Sequence, residues 1–183
     1  MNSNHNLVNV SRAIFLDIDG VFHPATDIES LDQSLPLDVL TKNHNLLRWA
    51  PLLAEQLRTH NDVMLFVHSN WRNRLSDKGM REVLGPLGEL IAADNYNLMY
   101  CGVTDVEITE REASIAAKVQ EADLAEYLII DDNSGAFSEL REHLLLCDPL
   151  AGVSDPAVQQ AVAKWLAATC SCPSSNGNAP IAC

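Results

Sequence analysis

Positive charge is scarce in this chain: 12 Lys and Arg stand against 25 Asp and Glu, for a net charge of −13. A broad nucleic-acid surface needs clustered positive charge, so that class is disfavoured. A small phosphorylated group held by a metal remains compatible. Long apolar runs are missing too, since nothing approaches the roughly 18 residues needed to span a membrane. The first residues, Met1-Asn2-Ser3-Asn4-His5-Asn6, lack the basic and apolar regions of a signal peptide, so a cytoplasmic protein is expected. Cysteine is sparse and irregular, at Cys101, Cys147, Cys170, Cys172 and Cys183. An odd number without repeated CxxC spacing supports neither a disulfide framework nor a zinc ribbon. Internal repeats and an interdomain linker are also lacking.

What is present is an ordinary globular composition, 47% hydrophobic and 20% charged over 183 residues, enough for one domain with a substantial core. The expected organisation is an N-terminal arm over 1–11, one domain over 12–169 and a tail over 170–183. The Ser-, Pro-, Asn- and Gly-rich composition of the tail reads as disordered.

The chain is organised around Ile14-Phe15-Leu16-Asp17-Ile18-Asp19-Gly20-Val21. An apolar run of this kind reads as a buried parallel strand. Its polar end should emerge at the C-terminal edge of a sheet, where open α/β folds bind ligands. In an extended strand Asp17 and Asp19 point to one side, and two anions so placed repel. A divalent cation relieves this, and oxygen-only ligands suit magnesium. A solvated turn at a strand end is the plain alternative for this stretch taken alone.

Two further apolar runs end the same way. Val63 to Val67 leads into His68-Ser69-Asn70-Trp71-Arg72, and Tyr127 to Ile130 leads into Asp131-Asp132-Asn133. Ser69 offers a hydroxyl and Arg72 a planar cation, both suited to phosphate oxygens. Alternatively Ser69 caps the next helix and Arg72 is a surface charge; His68 reads as structural. Leu144 to Cys147 is a weaker fourth strand, and Leu98 to Cys101 reads as a short one. Between the strands, helices are predicted from Pro51 to about His60, over Leu75–Leu84 and over Arg111–Asp123. A last helix is opened by Pro156 and capped by Asp155. Residues 22–45, broken at His23-Pro24 and Leu35-Pro36, show no clear period and read as a loop or flap. The predicted fold is α/β: a Rossmann-like parallel sheet with helices on both faces and no large cap domain. It sets Asp17, Asp19, Ser69 and Asp131 along one edge.

The order Asp17-Ile18-Asp19-Gly20-Val21, then Ser69-Asn70, then a basic residue, then Asp131-Asp132 resembles the haloacid dehalogenase (HAD) superfamily. The contexts Leu16 to Pro24 and Ser69-Asn70-Trp71-Arg72 are similar to a compact, capless bacterial branch whose related domains occur in RNA-repair proteins. The resemblance covers roughly residues 12–169. It implies a magnesium-dependent phosphatase acting through an aspartyl-phosphate. Asp17 would be the nucleophile, and Asp19 the general acid and base. Magnesium would be held by Asp17, Asp19 through its backbone carbonyl, Asp131 and Asp132. Ser69, Asn70 and a basic residue would hold the phosphoryl oxygens. The family usually places a lysine there, which points to Lys118. Arg111 is preferred, because seven residues of helix would carry Lys118 about 10 Å away from the site edge. Only 49 residues separate Asp19 from Ser69, too few for a large cap. Capless relatives act on bulky phosphorylated substrates, among them polynucleotide ends and phosphoproteins. A non-catalytic binding or regulatory module is the alternative reading.

Overall fold

The computed structural model describes residues 12–92 and 106–168. Four strands, β1 (Arg12–Leu16), β2 (Val63–Val67), β3 (Glu126–Asp131) and β4 (Leu144–Leu146), form one sheet in the order β2-β1-β3-β4. All three pairings are parallel. β1 lies at the centre and all five of its residues are buried, which is why its sequence is an unbroken apolar run rather than an alternating one.

Alternation along β1 assigns the two faces. Ile14 and Leu16 point into the larger core, with Leu53 and Leu57 of α3 (Ala50–Leu57) and Val158, Val162 and Leu166 of α6 (Pro156–Ala168). Ala13 and Phe15 point into a second core, with Ile115 of α5 (Val106–Glu121). There Phe15 stacks on Phe66 with ring centroids 5.2 Å apart, and Tyr127 meets it edge-on at 6.1 Å. Each such aromatic pair adds about 0.5–1.5 kcal/mol beyond the area it buries. Helices therefore cover both faces, and no cap domain stands among the described residues.

Residues 22–45 differ from expectation. They hold two helices, α1 (Ala25–Glu29) and α2 (Leu37–His44), each entered through a proline, Pro24 and Pro36. The prolines do mark breaks, but each then serves as a helix start, where a fixed φ and a missing N–H cost little. α1 buries none of its residues and α2 only Leu37 and Leu40, so neither leaves a readable period. Other bounds shift as well. α3 stops at Leu57, α4 (Asp77–Leu84) starts on its cap Ser76, and α5 begins at Val106, five residues before Arg111. The strand expected at Leu98 to Cys101 and both termini lie outside the described residues.

The ladder continues past the strand ends. Asp17 N donates to Ile130 O (3.0 Å), His68 N to Leu16 O (2.9 Å), and Cys147 N to Asp131 O (2.9 Å). These bonds hold the polar residues after β1, β2 and β3 at one edge of the sheet.

Candidate active site

β1 ends at Leu16, and the backbone then turns, with Val21 N and Phe22 N both donating to Ile18 O. The turn separates the two carboxylates that an extended strand would have kept on one side. Asp17 points inward. Its Oδ1 accepts from Ile18 N at 2.8 Å and its Oδ2 lies 3.2 Å from Arg111 Nη1. The Asp19 carboxylate turns the other way, where its Oδ1 accepts from the Trp71 indole Nε1 at 2.9 Å. His23 Nε2 lies 3.1 Å from that same oxygen, without hydrogen-bond alignment.

Three carboxylates do converge. Asp17, Asp131 and Asp132 each offer an oxygen within 4.8 Å of the others. Asp131 is fixed by its own neighbours, with Oδ1 accepting from Asn133 N (2.8 Å) and Oδ2 from Arg111 Nη1 (2.7 Å). Asp132 leans on Gly20, where an added Cβ would stand 2.1 Å from its Oδ2. Gly20 also adopts φ +70°, so steric space and backbone conformation both call for glycine there.

The electrostatics follow from this crowding. Burial and the neighbouring Asp17 push Asp131 up to about 8, and the same two causes push Asp132 up to about 6. Asp17 is different. Burial raises it, but the Arg111 guanidinium, the Ile18 N–H and the Ser69 hydroxyl outweigh burial and hold it below the usual carboxylate value. One carboxylate is held toward its ionised form while burial and repulsion favour the protonated form of its neighbours. A hard divalent cation would relieve that repulsion, and an all-oxygen set of this kind fits magnesium. Asp19 contributes no carboxylate oxygen to the set, so any hold it has on a metal falls to its backbone carbonyl.

Ser69 is fully buried. It caps a 3-10 turn, Asn70–Asn73, while its hydroxyl also serves Asp17. Capping and a site role coexist here. Asn70 is exposed at the start of that turn. Arg72 is buried, which excludes a plain surface charge. Arg111 reaches the carboxylates and bridges Asp17 and Asp131. Lys118 does not. It is buried further along α5, pairs with Glu121 at 2.6 Å, and its Nζ lies 5.9 Å from the Phe66 ring centroid.

Sequence reasoning missed three residues. Trp71 and His23 flank Asp19, and His68 Nε2 comes 3.7 Å from Asp131 Oδ2. Burial and the Arg111 charge drive His68 down to about 3, so its ring is neutral. The spacing from Asp19 to His23 and the place of Trp71 two residues after Ser69 were available signals. An aromatic or a histidine beside a strand end ordinarily reads as core.

A parallel α/β sheet with carboxylates after two strands and a hydroxyl after a third defines the class of HAD-like hydrolases. Residues 13–158 match the family described as the HAD domain in Swiss Army Knife RNA repair proteins, and the chain belongs to that family. No curated protein and no solved structure matches the chain.

Proposed function

We propose that the chain is a magnesium-dependent phosphatase that hydrolyses a phosphomonoester through an aspartyl-phosphate. The observation that carries this reading is the convergence of Asp17, Asp131 and Asp132, whose oxygens lie within 4.8 Å of one another, with the Arg111 guanidinium on two of them. Crowded carboxylate oxygens suit a divalent cation, and a planar guanidinium beside them suits phosphoryl oxygens.

In the proposed reaction an oxygen of Asp17 attacks phosphorus, and the bond from phosphorus to the ester oxygen breaks. Asp19 gives its proton to the departing oxygen. It then takes a proton from the water that cleaves the aspartyl-phosphate, returning Asp17 and releasing phosphate. Ser69, the backbone at Asn70 and the Arg111 guanidinium are assigned to the phosphoryl oxygens, and Arg72 to substrate contact. Asp17, Asp131, Asp132 and the Asp19 carbonyl would hold magnesium, which supplies positive charge against the phosphoryl group. The Trp71 indole fixes one oxygen of Asp19 and leaves the other to carry the proton.

The family description brings phosphorylated RNA ends into the substrate panel beside sugar phosphates and nucleotides. The assay is release of phosphate from p-nitrophenyl phosphate and from that panel. Magnesium-dependent turnover abolished by EDTA is expected, and full activity in excess EDTA overturns the metal assignment. One observation favours a second reading, a binding or regulatory module: Arg111 already bridges Asp17 and Asp131. Phosphoester binding without turnover on any member of the panel would establish that reading instead.

A further inference from the structure

We infer that Glu112 is a positioning residue for the reaction: it fastens the Arg111 turn of α5 to the segment after β3, and so keeps the guanidinium where the phosphoryl group arrives. This rests on the phosphatase reading and deepens its account of Arg111. One carboxylate takes four hydrogen bonds here. Glu112 Oε1 accepts from Ser138 N at 2.9 Å, Glu139 N at 2.8 Å and Leu140 N at 2.7 Å. Its Oε2 accepts from the Ser138 hydroxyl at 2.9 Å. The donors stand 26 to 28 residues further along the chain, so the bonds join two elements rather than cap one. Burial raises the Glu112 carboxyl, but these donors outweigh it and hold the group below its usual value. The ionised form therefore makes the tie, and bonds to an ionised acceptor are the stronger kind.

The neighbouring residue shows what the tie is for. Arg111 Nη1 reaches Asp131 Oδ2 at 2.7 Å and Asp17 Oδ2 at 3.2 Å. Two adjacent residues of α5 thus hold the two ends of one segment, Asp131 at its start and Ser138 to Leu140 at its finish. Between those ends the chain is bound to itself. Asn133 N donates to Asp131 Oδ1 at 2.8 Å, Gly135 N donates to Asn133 Oδ1 at 3.0 Å, and Phe137 is buried. Of the two ties, the one through Arg111 must yield during the reaction. An arriving phosphoryl group competes with Asp17 and Asp131 for the guanidinium. Once the guanidinium turns to phosphoryl oxygens, it no longer joins α5 to Asp131. The Glu112 bonds are made to backbone N–H groups and a hydroxyl, so that exchange leaves them intact and α5 stays in place. Ile115, which packs in the second core, lies a turn further along the helix. A displacement of about 1 Å at such a distance from the chemistry can cost on the order of 10²-fold in rate.

The test is a double-variant cycle on the full chain with saturating magnesium: Glu112→Ala, Arg111→Ala and the two combined, with rates taken per folded molecule. In Glu112→Ala, kcat/KM for p-nitrophenyl phosphate is expected to fall about tenfold or more. Added to Arg111→Ala, the same change is expected to cost at most about twofold, because no guanidinium is left to position. A role confined to structure gives equal losses in both backgrounds, and that result, or an unchanged kcat/KM in Glu112→Ala, overturns the assignment. Glu112→Gln keeps an acceptor oxygen for the three N–H groups and an amide that can donate to the Ser138 hydroxyl, so it is expected within about threefold of wild type. A loss as large as that of Glu112→Ala replaces the tie with a simple charge effect. Ser138→Ala removes one bond of the four and keeps the cycle readable if Glu112→Ala folds poorly; its smaller loss should likewise vanish in the Arg111→Ala background. Wild-type protein that turns over no phosphomonoester refutes the phosphatase reading, and calorimetric binding of inorganic phosphate then reads the same cycle. A weakening by Glu112→Ala that disappears in the Arg111→Ala background supports the tie, and any other result overturns it.

Discussion

Raising the pH from 6.5 to 8 in the presence of chelator should destabilise the protein, and magnesium should abolish the effect. Asp131 is raised in the folded state to about 8 from an ordinary 3.8. Between those values the folded chain binds a proton that the unfolded chain has lost. The slope of stability with pH follows the protons bound unfolded minus those bound folded, so it is negative here. Asp132, raised to about 6, has the same sign but only at lower pH. His68 opposes both. Lowered to about 3 from 6.5, it makes stability rise with pH, and only a few tenths of a kcal/mol of that rise remain above pH 6.5. Asp17, lowered, acts below that window with the same rising sign.

From pH 6.5 to 8 Asp131 therefore dominates among these groups. Integrating a single proton with a folded value near 8 gives a loss of roughly 1–2 kcal/mol over that interval. For a chain of this size that corresponds to roughly 2–8 °C in Tm. Under the proposed metal assignment magnesium would bind the ionised oxygens in the proton's place, so saturating magnesium should flatten the curve and stabilise more at pH 8 than at pH 6.5. Urea or thermal unfolding at the two pH values, with EDTA and with magnesium, reads all four corners. Stability that holds or rises with pH in EDTA, or an equal fall with magnesium present, refutes the account of the crowded carboxylates.

The other perturbations are read by turnover and unfolding together. Arg111→Ala should destabilise the metal-free protein by about 1–3 kcal/mol, the size of a lost hydrogen bond to a charged group, and magnesium should recover more Tm in the variant than in wild type; an unchanged Tm in EDTA contradicts the bridge. Asp17→Asn should abolish turnover with an unchanged circular dichroism spectrum, and Asp19→Asn should cost about 10²–10⁴-fold; near-native rates in Asp17→Asn refute the covalent route. Gly20→Ala places a Cβ where Asp132 Oδ2 stands, so the apparent magnesium affinity should weaken severalfold, and an unchanged magnesium titration shows that Asp132 is not needed for the metal. Lys118→Ala removes a buried charge that pairs with Glu121 and leaves a hole beside Phe66; Tm should fall while kcat per folded molecule holds, and a selective loss of kcat would return the phosphate role to Lys118.

How far the fold could be read from residues depended on what each element buries. β1, β2 and β3 are sandwiched between helices, so their apolar runs are continuous and their ends are sharp. That is why the edge carrying Asp17, Ser69 and Asp131 was visible. That Arg111 reaches this edge while Lys118 lies further along α5 was also legible, because it needs only a helix rise and the location of the site edge. α1 left no trace, since a five-residue helix that packs only a partly buried Ile28 against the core has no apolar stripe to betray it. The fate of Asp19 was illegible for another reason. Its partner Trp71 lies 52 residues away, and the turn after Leu16 that brings them together depends on Gly20 rather than on any strand period. The two aspartates share a tripeptide yet serve different surroundings. Asp17 faces the carboxylates and a guanidinium, while Asp19 faces an indole and an imidazole. A motif that looks like one paired site divides in the folded chain, so that under the proposed mechanism Asp17 serves as nucleophile on one side and Asp19 as proton donor on the other.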